Sequence, residues 1–211
     1  TAYEIGTKNR FLDNHLQINI SAYYNDYGGY QTAGINTAPP GPIRIFETIT
    51  SPVKSYGVEL EVQARPWTNG TFNLTASYTH ARYESFSGAN PTTDYAKFFS
   101  TDIVAPSPPF QMSGSYDHQV DLGGAKLFLR AALRYVAPHA SSRLDDSFAL
   151  LGATPYVSVP GRTLGDLNAT LVLGDNISIT GYVRNVTNER FLPDNWNIAD
   201  VIPAPPGGQP I

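Results

Sequence analysis

The run Leu16-Gln17-Ile18-Asn19-Ile20-Ser21-Ala22-Tyr23-Tyr24-Asn25 alternates without a break. Leu16, Ile18, Ile20, Ala22 and Tyr24 fall on one side, and Gln17, Asn19, Ser21, Tyr23 and Asn25 on the other. A period of two belongs to a strand with unlike faces, because successive side chains of an extended chain point to opposite sides. The same split returns in Val58-Glu59-Leu60-Glu61-Val62-Gln63-Ala64-Arg65, in Phe72-Asn73-Leu74-Thr75-Ala76-Ser77-Tyr78-Thr79, and over residues 167–171 and 177–184. Residues 127–135 keep an apolar face while Arg130 and Arg134 sit on the other. Two weaker segments, 3–10 and 110–118, complete a set of eight expected strands, rich in the Val, Ile, Thr, Tyr and Phe that pleated, half-buried surfaces favour.

The connections sort into two kinds. Residues 11–14, 67–70, 119–124 and 174–176 are short and hold the Asp, Asn and Gly that tight turns require. Residues 28–42, 87–109 and 137–160 are long and rich in Pro, Gly, Ser and Thr, and a fourth such stretch runs from Phe191 to the end. Short and long alternate strictly, so the short turns gather at one end of the strands and the long loops at the other. Transmembrane β-barrels are built in that way, with short periplasmic turns, long extracellular loops, an apolar outer band and a polar interior. Tyr23, Tyr24, Tyr27 and Tyr30, with Tyr78, Tyr83 and Phe86, fall near the long-loop ends of two strands, and Trp67 at a short turn, as interfacial aromatic girdles would.

Composition narrows the alternatives. Of 211 residues 15% are charged, 18 are Gly, 17 Pro and 13 Tyr, which does not describe a helical globular protein. A net charge of −4 with only 14 Lys plus Arg supplies no basic face, so nucleic acid is excluded as a partner. There is no cysteine, which removes disulfides, thiolate metal sites and cysteine nucleophiles. No apolar run reaches the 18 or more residues of a membrane-spanning helix, a test that barrel strands never meet. No initiator Met and no signal peptide is visible at Thr1-Ala2-Tyr3-Glu4-Ile5-Gly6, so the chain is expected to begin mid-protein. A soluble antiparallel sandwich gives the same alternation and stays open on these grounds. Two details favour the barrel: the polar face is mostly Asn, Ser, Thr, Gln and Tyr with little Lys or Glu, and loops of about 20 residues are uncommon in compact domains.

Tyr3-Glu4-Ile5-Gly6-Thr7-Lys8, followed by residues 16–27, resembles the late barrel of TonB-dependent outer-membrane receptors. Ser55-Tyr56-Gly57-Val58-Glu59-Leu60-Glu61 is similar to the strand that this family writes as Gly-Val-Glu before an alternating run. Residues 167–173, followed by Gly181-Tyr182-Val183-Arg184-Asn185-Val186-Thr187-Asn188-Glu189-Arg190-Phe191, are similar to its next-to-last strand with the Asn-x-Thr-Asn ending. The resemblance implies an all-β, antiparallel, up-and-down transmembrane β-barrel of which these eight strands are the fourteenth to the twenty-first of twenty-two. Residues 1–190 are then partial barrel and 191–211 a Pro/Gly-rich terminal loop, with plug, TonB box, first thirteen strands and last strand outside this sequence.

The function so implied is active uptake of a scarce nutrient such as a ferric siderophore, or haem, cobalamin or a glycan, driven by TonB and proton-motive force. Its setting is the outer membrane of a Gram-negative bacterium. The implied partners are membrane lipid and lipopolysaccharide, the siderophore or other large nutrient, and TonB through the N-terminal part. No enzyme activity and no cofactor are implied. A passive porin-type barrel stays as the alternative that a plug domain would exclude.

Chemistry-bearing residues are sparse. His15, His80, His118 and His139 form no His-x-x-x-His pair, Asp145-Asp146 lacks further calcium-ligand spacing, and no Gly-x-Ser-x-Gly elbow or phosphate loop occurs, so metal and catalytic residues are set at none. The Asn-x-Ser/Thr triplets at Asn19, Asn73 and Asn168 follow from a polar strand face and are expected to point inward. Glu59, Glu61, Arg65, Arg130, Arg134 and Arg184 are expected as lumen-facing charges that pair across strands or meet the plug. Tyr95, Phe98 and Phe99, in the second long loop, are the candidate ligand-stacking residues, with packing inside the loop as the alternative.

Overall fold

The computed structural model describes residues 1–36, 45–84, 104, 107–143 and 156–191. Ten strands and no helix occur among them: β1 (Ala2–Phe11), β2 (Leu16–Asn36), β3 (Ile45–Trp67), β4 (Gly70–Tyr83), β5 (Phe110–Asp121), β6 (Ala125–Val136), β7 (His139–Arg143), β8 (Tyr156–Val159), β9 (Arg162–Leu173) and β10 (Ile177–Arg184). Eight of them make one antiparallel sheet in the order β1-β2-β3-β4-β5-β6-β9-β10, which is chain order with β7 and β8 set aside. One continuous up-and-down sheet is what the alternating segments imply for a barrel wall; two stacked sheets, as a sandwich needs, are not formed by the described residues.

The short turns close because their residues accept left-handed backbone. Asp13 and Asn14 have φ of 50° and 66°, values that Asp and Asn tolerate through local hydrogen bonding, and Leu12 joins them at 54°. His15 fixes this turn by donating its backbone N–H to the Leu12 carbonyl at 2.9 Å. Gly123 and Gly174 serve the same purpose at φ of 75° and 56°.

The long connections differ from expectation in two places. Residues 28–36 are not loop, because β2 continues to Asn36 opposite Ile45 of β3 after a register shift between Tyr27 and Tyr30. Residues 137–160 hold the hairpin β7–β8. Each extension is stabilised by pairing with the next strand along the chain, across separations of 9 to 21 residues, which local composition does not report.

Register sorts the side chains into two faces. Across the sheet Asn19 lies opposite Glu61, Glu61 opposite Thr75, Thr75 opposite Ser113 and Ser113 opposite Arg134. One residue along, Ile20 lies opposite Leu60, Leu60 opposite Ala76, Ala76 opposite Met112 and Met112 opposite Tyr135. The first row is polar and the second apolar, and the alternation carries that division along all eight strands.

Buried side chains gather at the long-connection end rather than between layers. Val53, Tyr83 and Val104 form one cluster, and Val136, Ala137 and Val159 are buried too. Among the described residues the apolar face has no such cover. Leu133 is 55% exposed and Ile179 57%, although water-soluble monomers rarely leave a contiguous apolar patch beyond a few hundred Å².

Candidate functional site

The polar face encloses a concavity of about 920 Å³ bordered by Glu4, Lys8, Asn19, Glu59, Glu61 and Arg134. Asn19 donates its side-chain amide to Glu61 at 2.9 Å, a bond set by their direct opposition on β2 and β3. The Asn19 Oδ1 is buried and has no hydrogen-bond partner, which leaves an acceptor on the wall of the concavity. Neighbouring rows are knitted by side-chain pairs: Gln63 donates to Asn73 at 3.1 Å, and the Thr170 and Thr180 hydroxyls lie 3.0 Å apart. Toward the short turns the Arg130 guanidinium meets the Asp117 carboxylate at 3.4 Å, directly across β5 and β6.

Of the six charges singled out by sequence, Glu59, Glu61 and Arg134 therefore border one concavity and Arg130 is paired with Asp117. Arg65 follows Gln63 by two residues on the same face, and Arg184 holds its guanidinium over the Tyr182 ring at 5.2 Å, opposite Asp166. Asn73 and Asn168 share the face with Asn19. Glu4, Lys8 and Asp117 belong to it too, and the alternation that exposes Gln111, Ser113 and Ser115 also marks Asp117. Tyr95, Phe98 and Phe99 lie outside the described residues, as do Phe86, Asp145 and Asp146.

The apolar face is bounded at the long-connection end by Tyr24, Tyr56 and Tyr78, all exposed. Charged residues follow immediately in the same alternation: Asp26, Lys54, Arg82 and Glu84. Lys54 binds Glu84 at 2.5 Å, and that hydrogen bond, with the nearby negative charge, raises the lysine above its ordinary pKa of 10.5. Below the tyrosines, β2 from Leu16 to Tyr24 supplies about nine residues, the length that a tilted strand needs to cross hydrocarbon. Trp67 marks the opposite rim, with its indole N–H donated to the Tyr116 hydroxyl at 2.8 Å.

Tyr23 departs from the girdle expected of it. It sits on the polar face, where its hydroxyl lies 2.8 Å from the Thr79 hydroxyl, because an odd position on β2 cannot share a face with Tyr24. Tyr83 is buried against the Tyr30 ring, centroids 6.0 Å apart, rather than presented outward.

Residues 1–186 match the family described as TonB dependent receptor-like, β-barrel. The chain belongs to the TonB-dependent receptor β-barrel family. This is a family of receptors rather than enzymes, and membership implies the outer membrane. Three solved structures share the fold of this TonB-dependent barrel segment. The siderophore receptor PiuA of Acinetobacter baumannii is 16% identical with a TM-score of 0.65, covering 91% of this chain and 25% of its own. The ferric preacinetobactin receptor BauA of the same organism is 14% identical with a TM-score of 0.61, covering 90% and 25%. The ferric yersiniabactin uptake receptor FyuA of Yersinia pestis is 13% identical with a TM-score of 0.53, covering 90% and 32%. The chain thus spans a quarter to a third of the length of these structures. No curated protein matches its sequence.

Proposed function

We propose that this chain forms part of the wall of an outer-membrane active-transport receptor that takes up a scarce nutrient, of which a ferric siderophore is the leading case. The observation that carries the reading is the two-faced sheet itself: a polar, hydrogen-bonded face opposite an uncovered apolar face, over a family match of residues 1–186. The apolar face meets membrane lipid and lipopolysaccharide, and the polar face lines the lumen. Glu59 and Glu61, adjacent on that face and with no cation bound among the described residues, suit a cationic side chain of a plug. TonB acts through parts of such a receptor that the resemblance places outside these 211 residues. Tyr95, Phe98 and Phe99 are the residues through which the second long connection contributes to ligand choice.

The test is uptake by cells that carry the complete gene in a strain lacking its own siderophore receptors. Radiolabelled ferric siderophore accumulation that stops on adding a protonophore or deleting tonB is expected. Accumulation that continues unchanged under both treatments identifies a passive porin-type channel instead.

A further inference from the structure

The apolar face is not uniform. Across β5, β6, β9 and β10 it sinks into a trough of about 1040 Å³. The floor is made by small residues in register: Ala131 lies opposite Leu167, Ala169 opposite Leu129 on one side and opposite Gly181 on the other. No atom stands within 4 Å of the position a Cβ on Gly181 would take, so the floor is open there. Arg130 borders the trough, but its guanidinium is bound to Asp117 on the polar face.

The short-turn end of the trough is polar, and its hydrogen bonds have a direction. The Trp67 indole nitrogen only donates, and it reaches both the Tyr116 hydroxyl at 2.8 Å and His118 Nδ1 at 3.4 Å, which makes Nδ1 an acceptor; the Tyr116 hydroxyl lies 3.0 Å from the same ring nitrogen. A neutral imidazole that accepts at Nδ1 carries its hydrogen on Nε2. The cluster therefore presents a donor at His118 Nε2, which has no hydrogen bond among the described residues.

We infer that this trough seats one phospholipid of the leaflet on the short-turn side, with an acyl chain along the Ala131, Ala169 and Gly181 floor and the phosphate accepting from His118 Nε2–H. The assignment rests on the reading of the apolar face as lipid-facing. The trough is continuous with that band, and its lining, apart from Arg130 with its guanidinium held by Asp117, is mostly apolar, as suits hydrocarbon. The single polar end lies at the Trp67 rim, where headgroups begin, on the side away from the long connections.

The test uses the complete receptor in nanodiscs containing phosphatidylethanolamine with a diazirine on its acyl chain, followed by mapping of the crosslinks. Labelling of residues 127–131, 167–171 and 179–183 severalfold above that of 16–22 and 58–62 is expected. Ala169→Leu combined with Gly181→Leu, which fills the floor, should bring those segments down to the common level. His118→Leu should keep chain labelling while abolishing the preference for the phospholipid over diacylglycerol. Even labelling of the whole apolar face by the unmodified protein overturns the seat, as does preferential labelling by a lipid A probe. Labelling at Glu61 and Ser77 instead would mean that the faces themselves are reversed, a failure of the membrane reading that is separable from failure of the seat.

Discussion

Leu129 and Arg130 are neighbours in the chain with opposite surroundings: one borders the apolar trough, the other holds Asp117 on the polar face. In bilayers, Leu129→Arg in the complete receptor should cost roughly 2–4 kcal/mol at mid-membrane. Arg130→Leu removes a half-exposed pair worth about 0–1 kcal/mol. Folding free energies measured into lipid vesicles separate the two, and equal costs would refute the assignment of faces. Gly57 makes a different point at the same scale. A Cβ there would overlap the Tyr78 carbonyl oxygen and stand 2.6 Å from the Tyr23 hydroxyl, so the glycine is what lets Tyr23 lie across β3 to reach Thr79. Gly57→Ala should destabilise by about 1–3 kcal/mol through overpacking. Adding Tyr23→Phe should recover only a minor part, since the clash with backbone remains; full recovery in urea titrations would show that the tyrosine alone sets the constraint.

Strands β1 to β6, β9 and β10 were legible because period two survives in their sequences, and the polar face followed from it, down to Asn19, Glu59, Glu61 and Arg134. What local sequence conceals is pairing at a distance. Residues 28–36 read as loop because Gly28, Gly29 and Gly34 carry no strand preference, yet the register with residues 45–51 makes them β2. The Asn-x-Thr-Asn ending was visible as a motif, but its purpose depends on a partner 19 residues back: Asp166 accepts from the Asn185 backbone N–H at 2.8 Å. The Asn185 side chain then bonds Glu189 twice, donating to its carbonyl at 2.8 Å and accepting from its N–H at 3.0 Å, with φ of 53°. Asn185→Gly keeps that backbone and loses the side-chain bonds; Asn185→Ala loses both, and should be the less stable of the two by about 1–2 kcal/mol. Limited proteolysis at residues 185–191 reads the order, and the reverse ranking would discount the left-handed backbone. At the long-connection end, Val104 donates its N–H to the Ala81 carbonyl and packs on Val53 and Tyr83. Replacing residues 87–103 by a four-residue turn, which spares Val104, should leave barrel assembly intact and, on the proposed uptake function, weaken binding of the ferric siderophore. Loss of binding on replacing residues 122–124 instead would invert the orientation of the strands.

For the molecule as a whole the decisive feature is that its sheet ends. Among the described residues β1 and β10 each pair on one side only. In water an open edge is a template for association, and in hydrocarbon every unpaired backbone group costs several kcal/mol, so a spanning sheet must close on itself or on further strands. The apolar face adds to the demand, because no second layer among the described residues covers Ile20, Val58, Leu133 or Ile179. Fold and stability therefore separate: the eight strands carry enough local and pairwise information to fix register, while on the proposed membrane reading the free energy that holds them depends on neighbours at both edges and on lipid against one face. The 211-residue chain expressed alone should accordingly aggregate on refolding and show no cooperative melt as a monomer without detergent. Size exclusion and circular dichroism measure both properties. Added detergent should raise the β content yet leave the species heterogeneous, since it covers the face and not the edges. A soluble monomer with a sharp thermal transition would require the edges to be satisfied within these residues, and the membrane reading would fall with that result.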